Sequence, residues 1–254
     1  LYLTNSFITN VPAFTSKQSI NLKELLKNIK QNYSIVVIPD FLYNKLIVED
    51  NSYKKVEVEE EMVLNIKSEW NTLVDYTSDL KMKYRNKVKK IMKQTSEIEI
   101  RKLNVTDLEK HAIKIKKLFN QVAKSSQFSG PIFNTGSFIH FVKQKFMKID
   151  GYFINDKLVG FSSIIEKEEK LYSYFVGFDK TLNKSVPIYG RILIENIKSA
   201  IERRKKLLIL GRTANEYKSN FGALPIKSYV YLKNTDGSIA MDIDFGTALS
   251  IQLA

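Results

Sequence analysis

Gly151-Tyr152-Phe153-Ile154-Asn155-Asp156-Lys157-Leu158-Val159-Gly160-Phe161-Ser162-Ser163-Ile164-Ile165 decides how the chain is read, because it holds two strand-length apolar runs divided by Asn155-Asp156. Asn and Asp tolerate positive φ, so the pair predicts a tight turn between strands at residues 151–154 and 158–165. A second turn at residues 166–170 leads into a third strand at 171–178. Beyond residue 187 the apolar spacing changes from two to three and four. Tyr189, Ile192, Leu193, Ile197, Ala200 and Ile201 fall on one side and Arg191, Glu195, Lys198 and Glu202 on the other, which predicts a helix to about residue 204. A buried strand at 207–210, a short helix at 214–220 and a strand at 228–232 complete the order β-β-β-α-β-α-β.

Upstream, Asn21 and Glu24 form a capping-box pattern before the stripe Leu22, Leu25, Leu26, Ile29. Strands are expected at 33–38 and, from alternation with Glu57, Glu59 and Glu61, at 56–66. Trp70, Leu73, Thr77, Leu80, Tyr84, Val88 and Ile91 share one face of a long helix expected at 68–93, whose other faces carry Lys81, Lys83, Arg85, Lys87, Lys89, Lys90 and Lys93. A strand at 97–103, a helix capped by Thr106 and Glu109, a loop at 125–135 and a short helix at 138–146 follow. These elements suggest an N-terminal lobe at 1–95, ending in the basic helix, and a core at 96–254.

The composition, 44% hydrophobic, is that of a globular protein, and apolar runs of strand length exclude an obvious membrane span. No secretory signal is visible, although the chain does not begin with Met and a leader could have preceded it. The absence of cysteine excludes a disulfide framework, a thiolate nucleophile and a Cys-based zinc site; the cytoplasm is the expected location. His111 and His140 are too far apart to form a metal-ligand pattern, and no metal is expected. The net charge of +13 points to a polyanionic partner, or else to a lysine-rich composition imposed by codon usage.

The element order resembles the core of the GNAT acyltransferase superfamily. The phrases at 151–161, Tyr174-Phe175-Val176-Gly177-Phe178-Asp179 and Leu210-Gly211-Arg212 with Tyr217-Lys218 and Phe221-Gly222-Ala223 resemble its Fem-type branch, as does the basic helix after Trp70. That branch includes peptidoglycan-bridge aminoacyltransferases. The resemblance, over roughly residues 68–232, implies an α/β (α+β) fold: a GNAT-like mixed sheet flanked by helices, with an incomplete N-terminal GNAT-like lobe. It implies an N-acyltransferase whose co-substrate is a coenzyme A thioester, with aminoacyl-tRNA the less favoured donor because no inserted helical arm is evident. The acceptor would be an amine on a small molecule or cell-envelope precursor. A tRNA or an anionic membrane surface would meet residues 81–93, and no obligate protein partner is implied. A non-catalytic module binding nucleic acid or envelope precursors is the alternative.

Acyl transfer needs oxyanion donors, a base for the amine and an acid for the leaving group. In GNAT enzymes the donors lie beside a bulge in the strand that corresponds here to 172–178, which selects Val176 and Gly177; Gly177 either makes the bulge or simply opens the next loop. The resemblance offers Tyr217 as acid and Glu216 or Asp179 as base, unless these carboxylates are merely solvated. The GNAT phosphate loop, Arg/Gln-x-x-Gly-x-Gly/Ala, is replaced by Leu182-Asn183-Lys184-Ser185-Val186-Pro187-Ile188-Tyr189-Gly190-Arg191, which has one glycine. Lys184, Tyr189, Gly190 and Arg191 are the cofactor candidates there, at a helix N-terminus that favours anions. Tyr84, Arg85, Arg212 and Lys218, the last in the Fem-type Lys-x-x-Phe-Gly pattern, are the substrate-binding candidates.

Overall fold

The computed structural model describes residues 1–3, 16, 18–124 and 133–235, so the loop expected at 125–135 lies mostly outside the described residues. In chain order the first elements are β1 (Ile20–Asn21), α1 (Leu22–Lys27), β2 (Ile35–Pro39), α2 (Asp40–Tyr43), β3 (Leu46–Ile47), β4 (Lys54–Asn65), α3 (Leu73–Asp79) and α4 (Met82–Gln94). Then come β5 (Glu99–Lys102), α5 (Val105–Lys110), α6 (Ala112–Ala123), α7 (Ser137–Lys143), β6 (Lys148–Ile154), β7 (Lys157–Lys167) and β8 (Lys170–Phe178). A 3-10 turn at Leu182–Lys184 precedes α8 (Ile188–Glu202), β9 (Leu207–Gly211), α9 (Asn215–Ser219) and β10 (Leu224–Asn234).

The described chain packs as two compact units, one of residues up to 60 with 227–235 and one of residues 61–226. The units do not follow the division expected at residue 95. The basic helix α4 belongs to the larger unit because Val88 and Ile91 are buried in one cluster with Leu193, Ile197 and Phe221. In the smaller unit β2 pairs antiparallel with β10, from Val230 opposite Pro39 to Asn234 opposite Ile35. Leu3, Leu22, Val36, Ile38 and Leu42 form its core. The Asn21 side chain accepts from the Lys23 and Glu24 amides, so this cap sits where the sequence put it.

The larger unit is built on a mixed sheet in the order β4-β9-β8-β7-β6-β5. Strands β5 to β8 form an antiparallel meander, β8 and β9 are parallel, and β9 is antiparallel to β4. Alternation along β7 and β8 separates the two faces. Gly160, Val176 and Phe178 face α8, where Ile188 and Ile192 are buried. Phe161, Phe175 and Gly177 face α6 and α7, where Phe138 and Phe119 meet them.

The long helix expected at 68–93 is two helices. Thr72 caps α3, its hydroxyl accepting from the Asp75 amide while the Asp75 carboxylate accepts from the Thr72 amide, and Leu80 adopts an extended conformation (ψ 146°). The Arg85 guanidinium donates to the carbonyls of Ser78 and Leu80 at 2.6 and 3.0 Å, satisfying the end of α3. Three-and-four spacing runs across the break, so Tyr76 and Val88 still reach the same core. Asn104 and Asp107, rather than Thr106 and Glu109, form the capping box of α5. His111 lies between α5 and α6, half-buried, with its ring edge on Phe153.

Candidate active site

Strands β8 and β9 pair only at their beginnings, with Lys170, Leu171 and Tyr172 opposite Leu207, Leu208 and Ile209. Beyond Tyr172 the pairing stops, while β8 continues to Phe178. The reason lies in β8. Between the pairs Ser162–Val176 and Ile164–Ser173, Tyr174 and Phe175 oppose the single residue Ser163, which is a bulge. The Ser163 hydroxyl accepts from the Phe175 amide at 2.8 Å and donates to the Phe175 carbonyl at 3.1 Å, so the extra residue is held in place. Just before the bulge, buried Asn196 of α8 donates to the Ser173 hydroxyl at 2.7 Å and ties helix and strand together where β9 departs.

The bulge also fixes which amides point into the gap. Phe175 bonds to Ser163 and the Asp179 amide to the Val159 carbonyl, so both face β7. Backbone groups alternate along a strand, so Gly177 faces β7 as well, whereas Val176 and Phe178 face the side that β9 has left. Val176 therefore stays a donor candidate. Gly177 is not the bulge: it pairs with Phe161, and a Cβ there would lie 2.7 Å from the Phe119 nitrogen and 2.8 Å from the Leu118 carbonyl carbon. This glycine lets the α6 backbone approach the sheet.

The far wall of the gap is aromatic. Phe178 stacks on Tyr189 of α8 and Tyr189 on Tyr217 of α9, each pair with centroids 5.4 Å apart, and Tyr217 leans on Phe221 at 5.5 Å. Gly190 makes this possible, since a Cβ on it would stand 2.7 Å from the Tyr217 hydroxyl. Burial raises the pKa of both Tyr189 and Tyr217, so each keeps its proton at neutral pH. Lys87 of α4 lies over the Tyr217 ring at 4.5 Å. Burial, then the neighbouring Lys83, lowers its pKa, while Glu216 opposes the shift. Sequence reasoning saw Lys87 only as one lysine among many. Its meeting with Tyr217 joins residues far apart in the chain, and no local pattern announces it.

The connection from β9 to α9 bends through positive φ at Gly211 (77°) and Ala214 (56°), which turns the following side chains back toward the strand end. Lys218 is thereby buried, 3% exposed, with its Nζ donating to the Gly211 carbonyl at 3.1 Å. Burial lowers its pKa to about 8, against a smaller opposing influence of Glu61. Arg212 Nε and Asn215 Oδ1 are sealed from solvent without a hydrogen-bond partner among the described residues. Glu216 is exposed.

Other candidates have structural duties. The Asp179 carboxylate accepts from the Thr181 and Leu182 amides at 3.1 Å and starts the 3-10 turn, which leaves it poorly placed as a base. Arg191 donates to Glu195 at 2.7 Å and to the Thr95 carbonyl at 2.9 Å, pinning α8 to the end of α4 instead of facing a phosphate. Arg85 caps α3 as described, and Tyr84 is half-buried beside it, under Lys83. Lys184 is exposed on the turn. The α8 N-terminus itself is largely occupied. The Tyr189 amide donates to the Asn183 side chain at 2.9 Å, the Ile188 amide to the Val186 carbonyl at 2.7 Å, and the Arg191 amide to the Pro187 carbonyl at 3.0 Å. Asn183 was visible only as one residue of the stretch that replaces the phosphate loop, and its role as an internal cap was not.

No family model matches the chain, and no curated protein matches it in sequence. Solved structures do match its fold. L-PGS from Bacillus licheniformis superposes with TM-score 0.61 at 12% identity, covering 88% of this chain and 74% of that one. FemX gives 0.58 at 10% identity, covering 84% and 75%. The C-terminal domain of a putative lysylphosphatidylglycerol synthetase from Agrobacterium fabrum gives 0.57 at 10%, covering 78% and 67%. With its meander, its bulged β8 and the parting of β8 from β9, this chain has a GNAT-like fold of the Fem-like kind.

Proposed function

We propose that the chain is an acyltransferase that moves an aminoacyl group from an ester on a polyanionic carrier, aminoacyl-tRNA, to an amine of a small or cell-envelope acceptor. The observation that carries the reading is the open edge of β8 beside the bulge, with the Val176 and Phe178 amides facing a gap walled by Tyr189 and Tyr217. In this reading the donor ester lies in the gap like a missing strand, its carbonyl oxygen accepting from those amides. The acceptor amine attacks the carbonyl carbon, the C–N bond forms, and the ester C–O bond breaks. The leaving hydroxyl takes its proton from Tyr217, and the amine gives its proton to water at Glu216. Arg212 and Lys218 would hold an anionic group of the acceptor.

Coenzyme A was the donor expected from the superfamily. The reading moves away from it because Asn183 already accepts the Tyr189 amide at the helix end where a pyrophosphate would lie. Lys87 over Tyr217 instead brings the basic helix α4 to the mouth of the gap, where it would follow RNA phosphates. The likeness to FemX and to a putative lysylphosphatidylglycerol synthetase supports an aminoacyl donor in the same sense. The test uses both donors. Acetyl-CoA is expected to leave the melting temperature unchanged, while aminoacyl-tRNA binds with a steep salt dependence that Lys87→Glu and Lys90→Glu weaken. Tyr217→Phe is expected to keep tRNA binding and lose about 100-fold in turnover. Stabilisation by acetyl-CoA alone would restore the thioester donor, and binding of neither would leave a non-catalytic module.

A further inference from the structure

On the sheet face opposite α8, helix α6 turns a row of uncompensated lysines outward. Ile115, Leu118 and Phe119 are its buried residues. A rotation of 100° per residue places Ile113, Lys117, Asn120 and Lys124 along the middle of its outer side, with Lys116 flanking and Lys110 at the end of the preceding helix α5. Lys110, Lys116, Lys117 and Lys124 are all exposed, and among the described residues none of them makes an ion pair. Ile113, Lys116, Lys117, Asn120, Gln121 and Lys124 line an open depression of about 450 Å³. Ile113 stands in the middle of this cationic row and is 88% exposed, more than any other large hydrophobic residue described.

Cations alone would suit any polyanion. An isoleucine held in water and ringed by lysines selects among polyanions, because RNA phosphates offer it no apolar partner whereas a lipid surface does. Lysine stems can lie along the acyl boundary while their ammonium groups stay among phosphates. From the lysine row, the exposed isoleucine and the open depression, we infer that the outer face of α6 docks the protein on an anionic phospholipid surface. This surface is distinct from α4, which packs against α8 on the other face of the sheet. The inference does not depend on the acyl-transfer reading.

The test is co-sedimentation with phosphatidylcholine vesicles with and without phosphatidic acid. Binding is expected only with phosphatidic acid, weakening as salt rises and undisturbed by inorganic phosphate at matching concentration. Lys116→Glu with Lys117→Glu is expected to weaken it by about tenfold or more. Ile113→Ser is expected to weaken it while leaving its salt dependence unchanged. Lys89→Glu with Lys90→Glu, on α4, is expected to have little effect. All these positions are at the surface, and circular dichroism verifies that the variants fold. The inference is overturned if the wild-type chain ignores anionic vesicles, if the α4 pair abolishes binding while the α6 pair does not, or if the α6 pair weakens RNA binding and leaves vesicle binding intact.

Discussion

Lys218 carries its charge in the interior, 3% exposed on a five-residue helix, where its ammonium donates to the Gly211 carbonyl. Because burial lowers its pKa to about 8 from 10.5, the unfolded chain holds this proton more tightly than the folded one. Stability should therefore rise with pH across the window from about 8 to 10.5 and sit at its lower plateau below it. Lys218→Met should be more stable than the wild type at neutral pH by up to roughly 3 kcal/mol. It should also lose the rise at alkaline pH, as urea unfolding at two pH values would reveal; an unchanged rise would assign it to another group. A charge kept buried at such a cost fits a binding role better than a packing role. The sequence marked Lys218 through Lys-x-x-Phe-Gly but not its burial, which the turn at Gly211 and Ala214 creates. Arg85 and Arg191 went the other way. They stood out as substrate or cofactor ligands because they are cationic near the right motifs, and both bond backbone carbonyls at helix ends, of Ser78, Leu80 and Thr95, with Glu195 a second partner of Arg191.

Strand β8 shows which parts of an element are legible from sequence and which are not. Its apolar run and its place in the meander follow from period and turns. The bulge does not, because setting two residues, Tyr174 and Phe175, against the single Ser163 leaves no mark in a mostly apolar stretch. Gly177 drew attention as the strand-interior glycine, and its true constraint is the α6 backbone. Gly177→Ala is therefore expected to cost about 2–3 kcal/mol, since Phe161 can rotate but the Phe119 nitrogen and Leu118 carbonyl carbon cannot move without shifting the helix. Gly160→Ala meets only the Ile188 side chain closely, at 2.9 Å, and should cost less. Equal urea midpoints for Gly177→Ala and the wild type would remove this account of the packing. The break between α3 and α4 is a related case. The apolar spacing from Trp70 to Ile91 is continuous, yet Thr72 and Asp75 form a capping box inside it, a local signal that periodicity alone overrode.

At the scale of the molecule, the sequence of elements from β6 to β10 was readable, because period-two and period-3.6 segments alternate cleanly there, whereas the order of strands in the sheet was not. The compact units were not readable, since residues 227–235 pack with the first sixty and no compositional change marks the return. The excess of lysine was plain, but its distribution became interpretable only once the fold set α4 and α6 on opposite faces of one sheet. What the functional account needs above all is that β8 and β9 separate after Tyr172 and that the freed edge receives the donor. Hydrogen exchange at single-amide resolution, with and without an aminoacyl-tRNA minihelix, tests this most directly. The account predicts fast exchange at Val176 and Phe178 in the free chain and slowing at both with the minihelix, while Phe175 and Gly177 remain protected throughout. Val176 and Phe178 amides already protected in the free chain, or indifferent to the minihelix, would contradict it.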